Sequence, residues 1–146
     1  MEKNVVTIEF EALPENQSFA RSVAAAYISV ADPTVEELTE VKTAVSEAVS
    51  NAIIHGYQKR GAGRIAMEMK FTDRDRVWIK ITDWGCGIAD VEKARQPMYS
   101  TGGDMEMSGM GFTVMESFSD KVLVESEPGV GTSVTLIKCL DTYYDL

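Results

Sequence analysis

The chain has 146 residues, enough for one domain that buries a core without disulfide or metal cross-links. Hydrophobic residues make up 45% and charged residues 25%, a composition typical of folded rather than disordered proteins. The 23 acidic and 14 basic residues give a net charge of −9, which argues against direct nucleic-acid binding. Any bound phosphate must therefore be neutralised by backbone amides, a helix N-terminus or a metal ion.

The cysteines and the N-terminal sequence exclude two further classes of protein. Cys86 and Cys139 are too few for a disulfide framework or a zinc site. The first residues lack the apolar stretch of a signal peptide, and no apolar run reaches membrane-spanning length. We therefore expect a cytoplasmic protein with no membrane attachment.

The first third of the chain predicts a strand followed by two helices. Residues 4–12 alternate as an amphipathic strand, and a helix opens at Pro14. The apolar residues at helical spacing in this first helix are Phe19, Val23, Tyr27 and Val30. Thr34 and Glu37 predict a capping box that starts a long helix, which we expect to end near His55.

The rest of the chain predicts two hairpins separated by a long loop and a helix. Residues 65–71 and 77–82 form the first predicted hairpin, and strands 121–126 and 132–140 form the second. Between the hairpins lie a loop, about 89–108, typical of a lid, and a helix at 110–118. The order predicts one α+β domain over 1–146, with a mixed, mostly antiparallel sheet and helices on one face.

Four short motifs are candidates for a functional site. Glu47, Asn51 and His55 share one row of the long helix, and Asp83 with Gly85 and Gly87 follows a strand. The motif SGMGF (108–112) would place amides at a helix N-terminus, where anions bind, and GVGT (129–132) lies between two strands. Each motif alone has a simpler interpretation: a solvated helix flank, a turn, a hinge or a hairpin.

Taken together and in this order, the motifs resemble the ATP-binding fold of DNA gyrase, Hsp90, histidine kinases and MutL-type proteins. SEAVSNAIIHGY, DWGCGI, ARQPMYST and SGMGFTVMESFSDKV are most similar to the small anti-sigma-factor kinases of that superfamily. The resemblance covers nearly the whole chain and implies a Bergerat-type ATP-binding sandwich. It also implies ATP/ADP and Mg²⁺ as ligands.

The resemblance assigns a role to each candidate residue. Asp83 would accept a hydrogen bond from the adenine amine, Asn51 would ligate Mg²⁺, and Glu47 would be the catalytic base. The remaining residues expected to contact the nucleotide are His55, Gly85, Gly87, Thr101, Ser108, Gly109, Gly111 and Thr132. Relatives often carry a basic residue in the lid where this chain has Gly102 and Gly103, which suggests reliance on amides or on Arg95 for the γ-phosphate.

The resemblance also implies protein partners. These are a sigma factor, with sigma F the expected one, an anti-anti-sigma protein that carries the phosphoacceptor serine, and a second copy in a homodimer. Arg21 is a candidate partner contact, although a solvated surface arginine is the simpler interpretation. The alternatives are an anti-sigma kinase for a stress-response sigma factor, a detached histidine-kinase catalytic domain, an ATP-gated ATPase module, and a binding module with an inactive nucleotide site.

Overall fold

The computed structural model describes residues 3–58, 63–72, 76–96 and 111–140. The predicted nucleotide contacts at Thr101, Ser108 and Gly109 lie outside these residues, as does most of the predicted lid. Among the described residues, no helix is long and apolar enough to cross a membrane.

Five strands and four α-helices make up most of the described part of the fold. In chain order these are β1 Lys3–Glu11, α1 Asn16–Ile28, α2 Val35–Asn51, β2 Arg64–Phe71, β3 Arg76–Asp83, α3 Val91–Ala94, α4 Gly111–Phe118, β4 Lys121–Glu127 and β5 Gly131–Cys139. The strands form one sheet in the order β1-β2-β3-β5-β4, and every neighbouring pair is antiparallel. The predicted α+β class is confirmed; the described sheet is antiparallel throughout.

The hydrophobic core lies between the sheet and the helices. Alternate residues of β2 and β3 are buried, as the predicted two-residue period requires. Helix α2 packs between α1 and α4 and reaches β3 and β5. Its buried side chains include Val41, Ala44, Val45, Ala48 and Val49. Because α2 is central, the polar residues at its C-terminal end lie beside the sheet rather than on an outer surface.

The start of α2 matches the sequence prediction, and the helix changes type in its last turn. The Thr34 side chain accepts a hydrogen bond from the Glu37 amide at 3.0 Å, and the Glu37 carboxylate accepts one from the Thr34 amide at 2.9 Å. The α-helix ends at Asn51, and Ala52–Gly56 form a wider π-helical turn. The helix therefore extends to Gly56, as the predicted end near His55 requires, but its last turn is π-helical rather than α-helical. Such π-helical turns are common at functional sites.

The apolar stripe predicted for α1 is only partly correct. Phe19 is 50% exposed and Val30 59% exposed, whereas the alanines at 20 and 24 are fully buried. The side chains that α1 buries are those of Ala20, Ala24, Tyr27 and Ile28, and α1 packs on α2. Phe19 instead lies at the rim, edge-on to Phe10 with ring centroids 6.2 Å apart.

Candidate functional site

A cavity of about 470 Å³ opens between the C-terminal end of α2, the loop after β3, α3, the start of α4 and β5. This volume falls within the range of small-molecule sites. Of the predicted site residues, the cavity is lined by Asn51, His55, Asp83, Gly87, Gly111 and Thr132. Four motifs that are far apart in the sequence therefore meet around one space.

Asp83 forms a buried polar wall of this cavity at the end of β3. Its side chain is among the few buried polar groups of the described chain, and the residue is 6% exposed. The Gly85 amide donates to Asp83 Oδ1 at 2.9 Å, and Thr132 lies opposite Asp83 in the β3–β5 register. Burial raises the pKa of Asp83, and backbone hydrogen bonds from Gly85 and Thr132 partly oppose that rise. The carboxylate is thus a fixed hydrogen-bond acceptor.

The glycines after β3 allow close backbone packing. A Cβ at Gly85 would lie 2.0 Å from the carbonyl oxygen of Gly56, and one at Gly87 would lie 2.3 Å from that of Glu127. Gly87 also has φ of +78°, a conformation that favours glycine. The loop is therefore clamped between the turn after α2 and the end of β4.

Glu47 and Asn51 converge on the first residue of α4. A Cβ built on Gly111 would lie 3.2 Å from Asn51 Oδ1 and 3.5 Å from Glu47 Oε2. One helical turn separates Glu47 from Asn51, so both side chains point to the same place. Burial raises the pKa of the Glu47 carboxyl. The side-chain amide of Asn51 and the carboxylate of Glu47 thus lie close together beside Gly111, which lines the cavity.

Comparison with known proteins identifies the family. The model of the histidine kinase-like ATPase domain matches residues 10–138. The anti-sigma F factor of Bacillus licheniformis is 50% identical over 138 residues, covering 94% of both chains. The anti-sigma F factor of Bacillus subtilis strain 168 is 49% identical over 138 residues, with the same coverage.

The chain belongs to the anti-sigma F factor family of histidine kinase-like ATPase domains. The family resemblance predicted from the sequence motifs is confirmed. The solved structure of the RsbU and RsbW domains of Rv1364c from Mycobacterium tuberculosis has a TM-score of 0.66. It is 17% identical and covers 94% of this chain and 33% of that one, so it supports the fold alone.

His55 lines the cavity, but its backbone conformation differs from the predicted one. It belongs to the wide turn Ala52–Gly56, not to the α-helical row of Glu47 and Asn51. Its backbone carbonyl accepts a hydrogen bond from the thiol of Cys86, with the sulfur 3.1 Å from the oxygen. The turn therefore ties α2 to the loop that follows Asp83.

Ser126 is a site residue that the sequence prediction missed. Its hydroxyl accepts from the Ile88 amide at 2.7 Å and lies 2.9 Å from Thr132 Oγ1. It also reaches the carbonyl of Gly131 at 3.1 Å. A single serine in a strand carries no distinctive sequence signal, so only the β4–β5 pairing reveals this contact with Thr132.

A second, polar groove of about 350 Å³ lies between α1 and α2 and includes Glu47 and Arg21. Its other lining residues are Ser18, Ser22, Thr39, Lys42, Thr43 and Ser46. Glu47 therefore lies between the cavity and this groove: its carboxylate approaches Gly111, but the residue lines the groove. The predicted partner contact Arg21 lies in the same groove.

Arg95 does not line the cavity in the described part of the chain. Its Nε lies 3.0 Å from Glu116 Oε1, and its Nη2 donates to the carbonyl of Val122 at 3.0 Å. Arg95 thus joins the end of α3 to α4 and β4. The same described residues contain no cluster of three or more His, Cys, Asp or Glu side chains suited to a metal ion.

Proposed function

We propose that this chain is an anti-sigma factor that holds a sporulation sigma factor, sigma F, away from RNA polymerase. We also propose that it uses Mg-ATP to phosphorylate a serine on an anti-anti-sigma antagonist. The names of its relatives support the first activity, because anti-sigma F factors match it over 94% of both chains. The second is supported by one observation above all: the cavity has Asp83 in its wall and the convergent Glu47 and Asn51 at the start of α4.

Asp83 is proposed to select adenine. Its carboxylate accepts backbone hydrogen bonds from Gly85, at Oδ1, and from Thr132, and an ionised carboxylate has further acceptor sites. The exocyclic amine of adenine is a donor, whereas guanine has a carbonyl oxygen at the corresponding position. A buried carboxylate facing that oxygen would be repelled, so the base of ATP is favoured over that of GTP.

Asn51 and the start of α4 are proposed to hold the phosphates together with Mg²⁺. The Asn51 amide oxygen fits this ion, because Mg²⁺ takes hard oxygen ligands, few of them from protein. Gly109 and Gly111 would present amides at the positive end of the α4 dipole. The bound cation would supply charge neutralisation, which a chain with net charge −9 needs in order to bind a triphosphate.

Glu47 is proposed to accept the proton of the incoming serine hydroxyl. Its pKa is raised by burial, which makes an ionised Glu47 a stronger base than an exposed glutamate. The groove that contains Glu47 and Arg21 gives an acceptor polypeptide a path that does not cross the cavity. Phosphoryl transfer depends mainly on positioning and charge neutralisation, so Glu47 contributes a minor share of the total acceleration.

The remaining expectations complete this proposal. The chain 1–146 would act as one domain, pair as a homodimer, and use about 89–108 as a lid whose state depends on the nucleotide. A protein that binds a sigma factor away from RNA polymerase would work in the cytoplasm. Coupling between nucleotide and partner requires only that the nucleotide bind one conformation better than another.

The decisive experiment combines capture of partners with a phosphotransfer assay. The purified chain, with ADP or ATP, should retain a sigma factor and an anti-anti-sigma protein from a sporulating-cell extract. With γ-labelled ATP, label should appear on the antagonist as acid-stable phosphoserine. Label released only as free phosphate would favour an ATPase, and acid-labile label would favour a histidine kinase. Capture of the partners without phosphate transfer would indicate a binding module with an inactive nucleotide site.

Arg21 can be tested in the same capture assay. Arg21→Ala should weaken retention of a partner, since it removes a cation from the groove beside Glu47. Lys121, exposed on β4 at the far edge of the sheet, provides the control as Lys121→Ala. Equal retention by both variants would show that Arg21 is an ordinary surface residue.

A further inference from the structure

The phenol of Tyr57 bridges the ends of two strands beside the cavity. The Trp84 amide donates to Tyr57 Oη at 2.8 Å, and the Tyr57 hydroxyl donates to the carbonyl of Arg64 at 2.6 Å. The last register pair of β2 and β3 joins Ile65 to Asp83, so Arg64 and Trp84 are the next residues outward. The Tyr57 hydroxyl therefore connects the Trp84 amide to the Arg64 carbonyl, at the position where the next backbone hydrogen bond between β2 and β3 would otherwise form.

The ring that carries this hydroxyl is held in place by its surroundings. A Cβ on Gly63 would lie 2.5 Å from Tyr57 Cε1, so the ring lies directly against the glycine backbone. Gly63 has φ of +120°, a conformation that few other residues adopt. On the other side, the Tyr57 amide donates to the Ala52 carbonyl at 2.9 Å, closing the wide turn after α2.

The same turn contacts the Asp83 loop at two more points. The Cys86 amide donates to the Gly56 carbonyl at 2.8 Å, and a Cβ on Gly56 would lie 2.8 Å from the carboxylate of Asp83. The turn is continuous with α2, which carries Asn51. Tyr57 is thus one of the links that fix the backbone directly after Asp83 relative to the helix that bears Asn51.

We propose that Tyr57 is a positioning residue that sets the preference of the cavity for adenine by holding Asp83 in place through the Trp84 amide. This inference rests on the proposed adenine contact of Asp83. Without the hydroxyl, the Trp84 amide and the Arg64 carbonyl lose their shared partner. They must then take up water or close directly on each other, and either change moves the residue next to Asp83.

The test compares two nucleotides that differ at the group recognised by Asp83. ADP carries the exocyclic amine, and inosine diphosphate carries a carbonyl oxygen in its place. We expect the wild-type chain with Mg²⁺ to bind ADP more tightly than inosine diphosphate, measured by calorimetry. In Tyr57→Phe the ratio of the two affinities should fall about threefold to tenfold, the range expected for a lost hydrogen bond.

A matched control separates positioning from general stability. The hydroxyl of Tyr27 donates to the Asn4 carbonyl at 2.7 Å, away from the cavity, so Tyr27→Phe removes a comparable hydrogen bond. It should keep the ADP preference even where its melting temperature falls. Amide hydrogen exchange supplies an independent readout: Trp84 should exchange faster in Tyr57→Phe, while the amide of Ile81 should stay protected.

The outcomes distinguish this inference from the proposed function. A wild-type chain with no preference for ADP overturns the adenine role of Asp83 and this inference with it. A wild-type preference that Tyr57→Phe retains in full overturns the inference about Tyr57 alone. A preference lost equally in Tyr27→Phe would show that loss of stability is responsible and would likewise overturn it.

Discussion

Glu47→Gln is the sharpest test of the proposed phosphotransfer, because it removes a base while keeping the size of the side chain. Glu47 Oε2 lies 3.5 Å from the position of a Cβ on Gly111, and Asn51 Oδ1 lies 3.2 Å from the same point. Glutamine keeps a polar tip there but cannot accept the serine proton. A general base contributes about 100-fold at the low end of its usual range, or about 2.7 kcal/mol in activation free energy.

Nucleotide affinity should respond much less than turnover. Glu47 lines the polar groove and is not among the residues that line the cavity. The dissociation constant for Mg-ATP should therefore change by no more than about twofold, as expected for a group used only in the chemical step. Single-turnover transfer from γ-labelled ATP to the antagonist gives the rate, and calorimetry gives the affinity.

The control for this variant lies on the same helix. Glu36 is exposed in the first turn of α2, so Glu36→Gln makes the same chemical change far from the cavity. It should transfer phosphate at the wild-type rate. Our assignment would be refuted by full turnover in Glu47→Gln, or by a loss of ATP affinity as large as the loss of rate.

Three further predictions follow from the site. Asp83→Asn should weaken ADP binding about 10- to 100-fold, the value of a hydrogen bond to a charged group, and equal affinity by calorimetry would refute the adenine contact. Gly85→Ala should destabilise the fold by about 1–3 kcal/mol, as overpacking does, because its Cβ would lie 2.0 Å from the Gly56 carbonyl oxygen; an unchanged melting temperature would contradict this packing. The transfer rate should fall as pH decreases through the pKa of Glu47, which burial raises above its usual 4.5. In a pH–rate profile of Glu47→Gln, this fall in rate on the acidic side should be absent.

The same pKa shift has a stability consequence of defined sign. The folded chain binds the proton of Glu47 more tightly than the unfolded chain does. The contribution of this group to stability is therefore complete below its unfolded pKa and is lost as pH rises through the folded pKa. We expect the free energy of unfolding of the wild type, measured with denaturant, to fall relative to that of Glu47→Gln as the pH rises from 4 to 8.

The parts of the fold that depend on local signals were predictable from sequence. The capping box of Thr34 and Glu37 is encoded within four residues, and the strand alternation around 65–71 and 77–82 has a period that burial reproduces. The proximity of Asp83 to Thr132 was predictable only through the family resemblance. Nothing local to either residue indicates that β3 and β5 pair.

The parts that were missed depend on contacts between distant segments. The helix changes from α to π after Asn51, and Gly56 at the end of the π-helical turn packs against Asp83, a contact across 27 residues that no helical period encodes. Phe19 fits a helical stripe as well as the alanine at 20 does. Which of them faces inward depends on how closely α2 approaches, and hydropathy alone does not specify that distance.

The pairing of β3 with β5 has a consequence for how this chain folds and resists proteases. Asp83 and Thr132 face each other only after segments about fifty positions apart have come together, and such long-range closure is slow and entropically costly. No fragment that contains one of the two strands alone can form the cavity wall. A ligand held there would bind only the completed domain, and by mass action it should slow any digestion that requires the whole domain to unfold.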